Sequence, residues 1–335
     1  MDQSPLACAT STPEYPYGEM KIFAGSASRE LAQKICGHLN VPLSNSETHV
    51  FSDGNLFVRI LENVRGRDVF IVQGTEYPVN DNLVELMFWI DAFKRASAMQ
   101  VTAVIPYFSY AKGDKKDEPR VSIRARVVAD MVEAAGADRV LTMDLHTPQV
   151  QGFFRIPVDH LYAQPVQVEY FKNKGIPNLV VAAPDVGFSK SAQRYALAMN
   201  TPWVIGSKER HGHDERAEIH QVIGDVKGKN VLIVDDFTIS GGTLIEMANA
   251  CLERGAREIY ACVSHGVFSK GSGARIARSP IKELVLTDTI GQQREPLPEN
   301  CKTISVSGLF AQAIWSIHRR ESVSKLFESI ESAPR

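Results

Sequence analysis

Val231-Leu232-Ile233-Val234-Asp235-Asp236-Phe237-Thr238-Ile239-Ser240-Gly241-Gly242-Thr243 sets a hydrophobic run, a pair of acids and a glycine-rich turn in immediate succession. Four aliphatic residues in a row read as a short strand buried on both faces. Leu244-Ile245-Glu246-Met247-Ala248 then continues with helical spacing. The stretch is therefore a strand–turn–helix unit of a parallel sheet. Its two carboxylates are expected at the strand's carboxyl end, where open α/β sheets take their ligands. Glycines let backbone N–H groups close on an anion, and the new helix adds its positive end. An ordinary strand–turn–helix accounts for the apolar run but not for Asp-Asp ahead of Ser-Gly-Gly-Thr. That combination is a phosphate cradle beside two carboxylates suited to sugar hydroxyls or a divalent metal.

The same unit occurs earlier in the chain. Asn63-Val64-Arg65-Gly66-Arg67-Asp68-Val69-Phe70-Ile71-Val72-Gln73 parallels residues 225–235, Leu83-Val84-Glu85-Leu86 parallels Leu244-Ile245-Glu246-Met247, and residues 101–105 fall where 259–263 fall. The offset stays at roughly 160 residues, so the chain reads as two copies of one α/β unit. Around these segments the expected strands are 21–26, 56–60, 69–73, 101–105, 141–145, 179–183 and 202–206. Helices are expected over 29–39 and 80–98, and a turn at Phe51-Ser52-Asp53-Gly54-Asn55. Alternation of this kind implies parallel sheets with right-handed crossovers. The first copy carries Gly74-Thr75-Glu76-Tyr77-Pro78-Val79 in place of the acidic cradle, which leaves that copy free for another role, such as holding a second substrate or making subunit contacts.

Length and composition bound the rest. A chain of 335 residues implies about two domains. With 44% hydrophobic and 23% charged residues it has the composition of a soluble globular protein. A formal charge of -2 gives no overall pull toward nucleic acid or anionic membrane. No apolar run approaches membrane-spanning length. The scattered cysteines, Cys8, Cys36, Cys251, Cys262 and Cys301, include no Cys-x-x-Cys pair and suit reduced thiols in a cytosol. The first twenty residues, with Pro5, Pro13 and Pro16 among Ser and Thr, read as a disordered tail rather than a signal peptide.

Four further stretches look chemical. Residues 107–117 leave a strand and turn polar at once, with Lys112, Lys115 and Lys116 placed to meet polyphosphate and aromatics to flank a base. Asp114, Asp117 and Glu118 offset those lysines and argue against a nucleic-acid patch. Asp144-Leu145-His146 ends a strand and could reach a metal or phosphate, although Mg²⁺ prefers oxygen ligands. Pro184-Asp185-Val186-Gly187 is another strand end with an acid and a glycine turn. Lys208-Glu209-Arg210-His211-Gly212-His213-Asp214-Glu215-Arg216 is too polar for core and reads as a mobile loop; its histidines, with His220, fit no metal spacing.

Over residues 20–316 the chain resembles the ribose-phosphate diphosphokinases, or phosphoribosyl-diphosphate (PRPP) synthetases. The turn at 235–243 alone indicates only the wider group of PRPP-binding proteins. The specific pieces are Asp144-Leu145-His146 with Gln151-Gly152-Phe153-Phe154 and Ile156-Pro157-Val158-Asp159, and Lys208-Glu209-Arg210 ahead of Val222-Ile223-Gly224-Asp225-Val226. The resemblance implies two tandem type I phosphoribosyltransferase-like domains, 20–161 on the ATP side and 162–316 on the ribose 5-phosphate side. A tail at 1–19 and a C-terminal helix or tail at 317–335 flank them. It implies Mg²⁺-dependent transfer of a diphosphoryl group from ATP to the anomeric hydroxyl of ribose 5-phosphate, releasing AMP, in a cytoplasmic, dimer-based homo-oligomer that extends to hexamers among relatives. No nucleic acid or membrane partner is implied.

By the same resemblance, Asp235 and Asp236 orient the sugar, and Ile239, Ser240, Gly241, Gly242 and Thr243 hold its phosphate together with Arg210. Lys208 and Arg210 act on the charge developing at the β-phosphorus. Phe51, Asp53, Gly54, Asn55, Lys112, Gly113, Asp117 and His146 hold ATP, and His146 and Asp185 are the metal contacts. Four departures stand out. Asn55 replaces the family's Glu, Lys112-Gly113 replaces Arg-Gln, Phe188 replaces Gly, and Ile239 replaces Asp. They leave open a divergent or regulatory homologue, and the cradle alone also fits a phosphoribosyltransferase that consumes PRPP.

Overall fold

A computed structural model describes residues 18–209 and 218–327, without the side chains of 208, 209, 218–220, 325 and 327. The first half runs β1 (Met20–Ala24), α1 (Arg29–Leu39), the hairpin β2 (Ser46–Val50) and β3 (Leu56–Ile60), β4 (Asp68–Val72), α2 (Val79–Arg95), β5 (Gln100–Ile105), α3 (Arg124–Ala135), β6 (Arg139–Met143), β7 (Val158–Leu161) and α4 (Gln164–Lys174). The second runs β8 (Leu179–Ala183), α5 (Ser189–Met199), β9 (Trp203–Glu209), β10 (Glu218–Ile223), β11 (Asn230–Thr238), α6 (Gly242–Glu253), β12 (Ile259–Gly266), α7 (Ser272–Ala277), β13 (Ile281–Thr287), β14 (Cys301–Ile304) and α8 (Ser307–Arg319). Strand order is β1-β4-β5-β6-β7 in one sheet and β10-β9-β8-β11-β12-β13-β14 in the other. Apart from β9 and β10 the second order reproduces the first, element for element, as the internal repeat implies.

Burial follows the sequence pattern. Every residue of β4 and β8 is buried, so Val69–Val72 and Leu179–Ala183 read as unbroken apolar runs rather than alternations. On one face of the first sheet Trp89 and Phe93 of α2 pack with Phe23. On the other face α1 and α8 cover Ile22, Phe70 and Val72.

That second face holds a feature periodicity does not reveal. Helix α8 follows the last strand of the second half, yet Phe310, Ile314 and Ile317 pack into the core of the first half beside α1. Helix α4, its counterpart after β7, packs on α5 of the second half. Each closing helix thus seals the other unit. His318 Nδ1 meets Asp68 Oδ2 at 2.8 Å, with both side chains essentially out of solvent. The boundary expected at 316/317 falls inside this helix, and the one expected at 161/162 falls between β7 and α4.

The turn at 74–79 contacts the second half. The Gly291 N–H donates to Glu76 Oε1 at 2.8 Å, and the Arg294 guanidinium lies 4.0 Å from the Tyr77 ring centre. Gly291 comes so close that a Cβ there would sit 1.9 Å from the Ala27 carbonyl oxygen. Glu76 is 1% exposed and its Oε2 has no hydrogen-bond partner. Burial pushes its carboxyl up from 4.5 to about 7. Between those values the folded chain holds a proton that the unfolded chain has released, so stability falls as pH rises through that window and is level above it. The penalty is on the order of 3 kcal/mol. Glu76→Gln keeps the acceptor for Gly291, so its melting temperature should gain on the parent chain from pH 5 to pH 8. An offset independent of pH would contradict this account.

Candidate active site

The carboxyl ends of both sheets meet. Strand β11 does not stop at Val234 but continues through both acids to Thr238, because β12 carries the parallel ladder on to Phe237↔His265 and Thr238↔Gly266. Asp235 and Asp236 are therefore consecutive strand residues that point to opposite faces. Asp236 turns toward the first half, where the His146 Nδ1–H donates to its Oδ2 at 2.8 Å. Its other oxygen accepts the Phe237 N–H at 2.8 Å. Asp235 lies toward Asp185. Burial, then the charges of Asp236 and Asp185, holds its carboxyl well above the usual carboxylate range. Asp185, just past β8, accepts the Phe188 N–H at 3.1 Å.

Phe237 was not singled out from sequence, yet it organises one wall. The Lys112 Nζ lies 4.0 Å from its ring centre, and the His146 ring stands edge-on at 5.5 Å. A cation over an aromatic face contributes about 0.5–2 kcal/mol, depending on its solvation. Lys112 and Gly113 lie on the 3₁₀ turn Ala111–Gly113. A Cβ at Gly113 would fall 2.7 Å from Arg124 Cβ, so Arg124 occupies the space that a glutamine side chain would need. The Thr147 hydroxyl donates to Asp114 at 2.8 Å, tying this loop to the residue after His146.

The phosphate turn forms as the glycines require. Gly241 has φ +77°, and a Cβ there would meet Ile276 Cδ1 at 2.8 Å. The Gly241 N–H donates to Thr238 Oγ1 and the Gly242 N–H to Ser240 Oγ, both at 3.2 Å. Bonds this long to hydroxyls are readily exchanged for an anion. Thr243 lies in the first turn of α6, which begins at Gly242. The Ile239 side chain is 41% exposed, and its carbonyl accepts from the Ser269 N–H and the Ser272 hydroxyl. Its backbone is thus fixed and its apolar side chain open.

Not every expected residue joins this cluster. Phe51, Asp53, Gly54 and Asn55 form the exposed tip of the β2–β3 hairpin, which hydrogen-bonds within itself. Asp53 accepts the Asn55 backbone N–H at 3.0 Å and its side-chain amide at 2.7 Å, and these bonds lower its pKa. A glutamate at 55 would set a second charge there instead. Asp117 lies exposed on the loop after Gly113. The Lys208 backbone sits near the end of β9, opposite Ile219. Arg210, with His211 and His213, lies outside the described residues.

Among the described residues no three His, Cys, Asp or Glu side chains form a ready-made cation cage. A Mg²⁺ ion is commonly held by only one or two carboxylates together with substrate phosphates. Asp185, Asp235 and Asp236 are the carboxyl groups gathered at this end of the sheet, and their oxygens are the donors such an ion would use.

Comparisons with known proteins agree over nearly the whole chain. Residues 20–136 match the family described as the N-terminal domain of ribose phosphate pyrophosphokinase, and 207–328 match the phosphoribosyl synthetase-associated domain. A ribose-phosphate pyrophosphokinase of Caldanaerobacter subterraneus subsp. tengcongensis is 50% identical over 92% of this chain and 98% of its own length. The Porphyromonas gingivalis enzyme of that name is 47% identical over 91% of this chain and 97% of its own. Among solved structures, phosphoribosylpyrophosphate synthetase from Mycobacterium smegmatis superposes with a TM-score of 0.83 at 35% identity, covering 89% of this chain and 98% of that one.

Proposed function

From the chain's membership of the ribose-phosphate pyrophosphokinase family we infer that it transfers the diphosphoryl group of ATP to the C1 hydroxyl of ribose 5-phosphate, giving PRPP and AMP. The bond formed is from the sugar oxygen to the β-phosphorus, the bond broken is from that phosphorus to the oxygen bridging it to the α-phosphate, and one proton is released. The observation that carries the reading is the His146–Asp236 pair. It joins the end of β6 in the first half to the cradle-bearing strand of the second at 2.8 Å. Such a transfer requires alignment and charge neutralisation more than covalent chemistry.

Ser240, Gly241, Gly242 and Thr243 take the 5-phosphate, with Arg210 assisting. Asp236 and Asp235 orient the sugar from either side of β11. Lys112, its amine steadied over Phe237, meets the triphosphate beside His146, while Gly113 shapes that loop and Asp117 and the hairpin residues Phe51, Asp53, Gly54 and Asn55 serve the nucleotide. Lys208 stabilises charge at the β-phosphorus. Mg²⁺ at Asp185 and His146 would neutralise the phosphates when bound. Support for a homo-oligomer comes from α2 and α3, where Val84, Phe88, Val127 and Met131 leave apolar surface exposed on neighbouring helices. Among the described residues no helix is long and apolar enough to cross a membrane, and the cysteines described are free, consistent with a cytoplasmic enzyme.

The purified chain, given ribose 5-phosphate, Mg²⁺ and a panel of nucleoside triphosphates, should yield AMP and PRPP in equal amounts with ATP. Absence of both products with every nucleotide would reject the reading. Diphosphate release from PRPP and a nucleobase would favour a phosphoribosyltransferase. The departure at 239 gives a gain-of-affinity test. Ile239→Asp supplies an acceptor on an already fixed backbone and should lower KM for ribose 5-phosphate by roughly three- to tenfold with kcat unchanged. An unchanged or raised KM would remove this position from the sugar site.

A further inference from the structure

Three residues ahead of His146 are held from both halves, although no role in the reaction falls to their holders. Asp144 has φ +39°, a left-handed conformation that a non-glycine residue keeps only when its surroundings enforce it. Its carboxylate is buried, accepting the Ala163 N–H at 2.9 Å and the Ser264 hydroxyl of β12. The next residue of β12, His265, faces the Met143 and Asp144 carbonyls with Nε2 at 3.1 and 3.3 Å, and faces the Thr289 hydroxyl with Nδ1 at 2.8 Å. Two carbonyl acceptors require the proton on Nε2. The ring is 2% exposed and packs 4.9 Å from Tyr107, and burial takes its pKa down to about 4, so it stays neutral. Within the first half, the Leu145 N–H donates to His160 Nε2 at 2.9 Å. Met143, Asp144 and Leu145 are thus pinned from both sides, whereas the His146 side chain is 40% exposed and reaches Asp236 with one nitrogen.

We propose that Ser264 and His265 are positioning residues: by clamping the left-handed turn at Asp144 across the interface between the halves, they set His146 against Asp236 and aim its other nitrogen into the cleft. The proposal rests on the diphosphoryl-transfer reading above. A core histidine that merely stabilises the fold would lower the amount of folded protein. A clamp acting through His146 lowers turnover by the folded enzyme, and only while His146 is present.

The test is a pair of double-mutant cycles on the full chain with ATP, ribose 5-phosphate and Mg²⁺, with folding checked by circular dichroism. His265→Leu should lower kcat at least tenfold with KM for ribose 5-phosphate within twofold. His265→Gln, whose amide N–H reaches the same carbonyls, should restore most of the loss. In a His146→Ala background His265→Leu should cost less than about threefold more. Ser264→Ala should follow the same non-additive pattern with a smaller loss, and its cycle decides alone if His265→Leu does not fold. Equal losses in both backgrounds, or no loss in either variant, would overturn the proposal while leaving the reaction reading intact. A wild-type chain that makes no PRPP would overturn both, since the clamp would then serve no reaction.

Discussion

Alanine in place of His146 should lower kcat by roughly two to three orders of magnitude, the usual cost of deleting one preorganised contact at a charged transition state. Three observations support that proposal. Its Nδ1–H is committed to Asp236 at 2.8 Å, which leaves the opposite nitrogen for the substrate. The ring edge stands against Phe237, whose face carries Lys112. The side chain is 40% exposed, so it opens to solvent and not into a core. For that last reason His146→Ala should fold with a melting temperature within a few degrees of the parent. Asp236→Asn should lower kcat too, because the amide cannot fill the carboxylate's acceptor role on both sides. Steady-state kinetics decide, and a kcat within about threefold of the parent for His146→Ala would remove it from the reaction.

Lys208→Ala should lower kcat by about a thousandfold, in the range seen when a single cationic side chain is withdrawn from phosphoryl transfer. Strand β9 pairs with β8 through Ala183↔Ile205, so Lys208 lies three residues beyond the last paired position. This is the same edge of the sheet at which Asp185 follows β8 and the 235–243 turn begins. Affinity for ribose 5-phosphate, measured calorimetrically, should stay within about twofold, since the proposal gives that contact to the cradle glycines and hydroxyls. A large loss of sugar-phosphate affinity with turnover preserved would make Lys208 a binding residue only.

Much of this was legible in the sequence because its signals are local. Uniform apolar runs identified β4, β8 and the start of β11, and the parallel between 63–73 and 225–235 announced two sheets of one order. Local signals also set the limit. Asp235-Asp236-Phe237-Thr238 reads as the start of a turn, since acids after an apolar run reveal nothing of the neighbouring strand that extends the ladder to Thr238. The exchange of α4 and α8 is hidden for a related reason. An apolar helix face states that it will be covered, not by which half. Ser264 and His265 passed unnoticed because a serine and a histidine ending a buried strand are ordinary, and their meaning lies in Asp144, 120 residues away along the chain. Polar residues at the carboxyl end of a strand next to the cradle strand were the available clue. Glu76 differs again. Its turn is conspicuous for lacking a cradle, but its contact with Gly291 of the other half is not legible in the sequence.

The central claim is that both outer phosphates of ATP move together to the sugar. It is tested most directly by following label from ATP marked separately at the α-, β- and γ-phosphorus during one turnover with ribose 5-phosphate and Mg²⁺. β- and γ-label should appear together in PRPP and α-label only in AMP. Appearance of ADP with γ-label alone on the sugar, or no transfer of β-label, would contradict it.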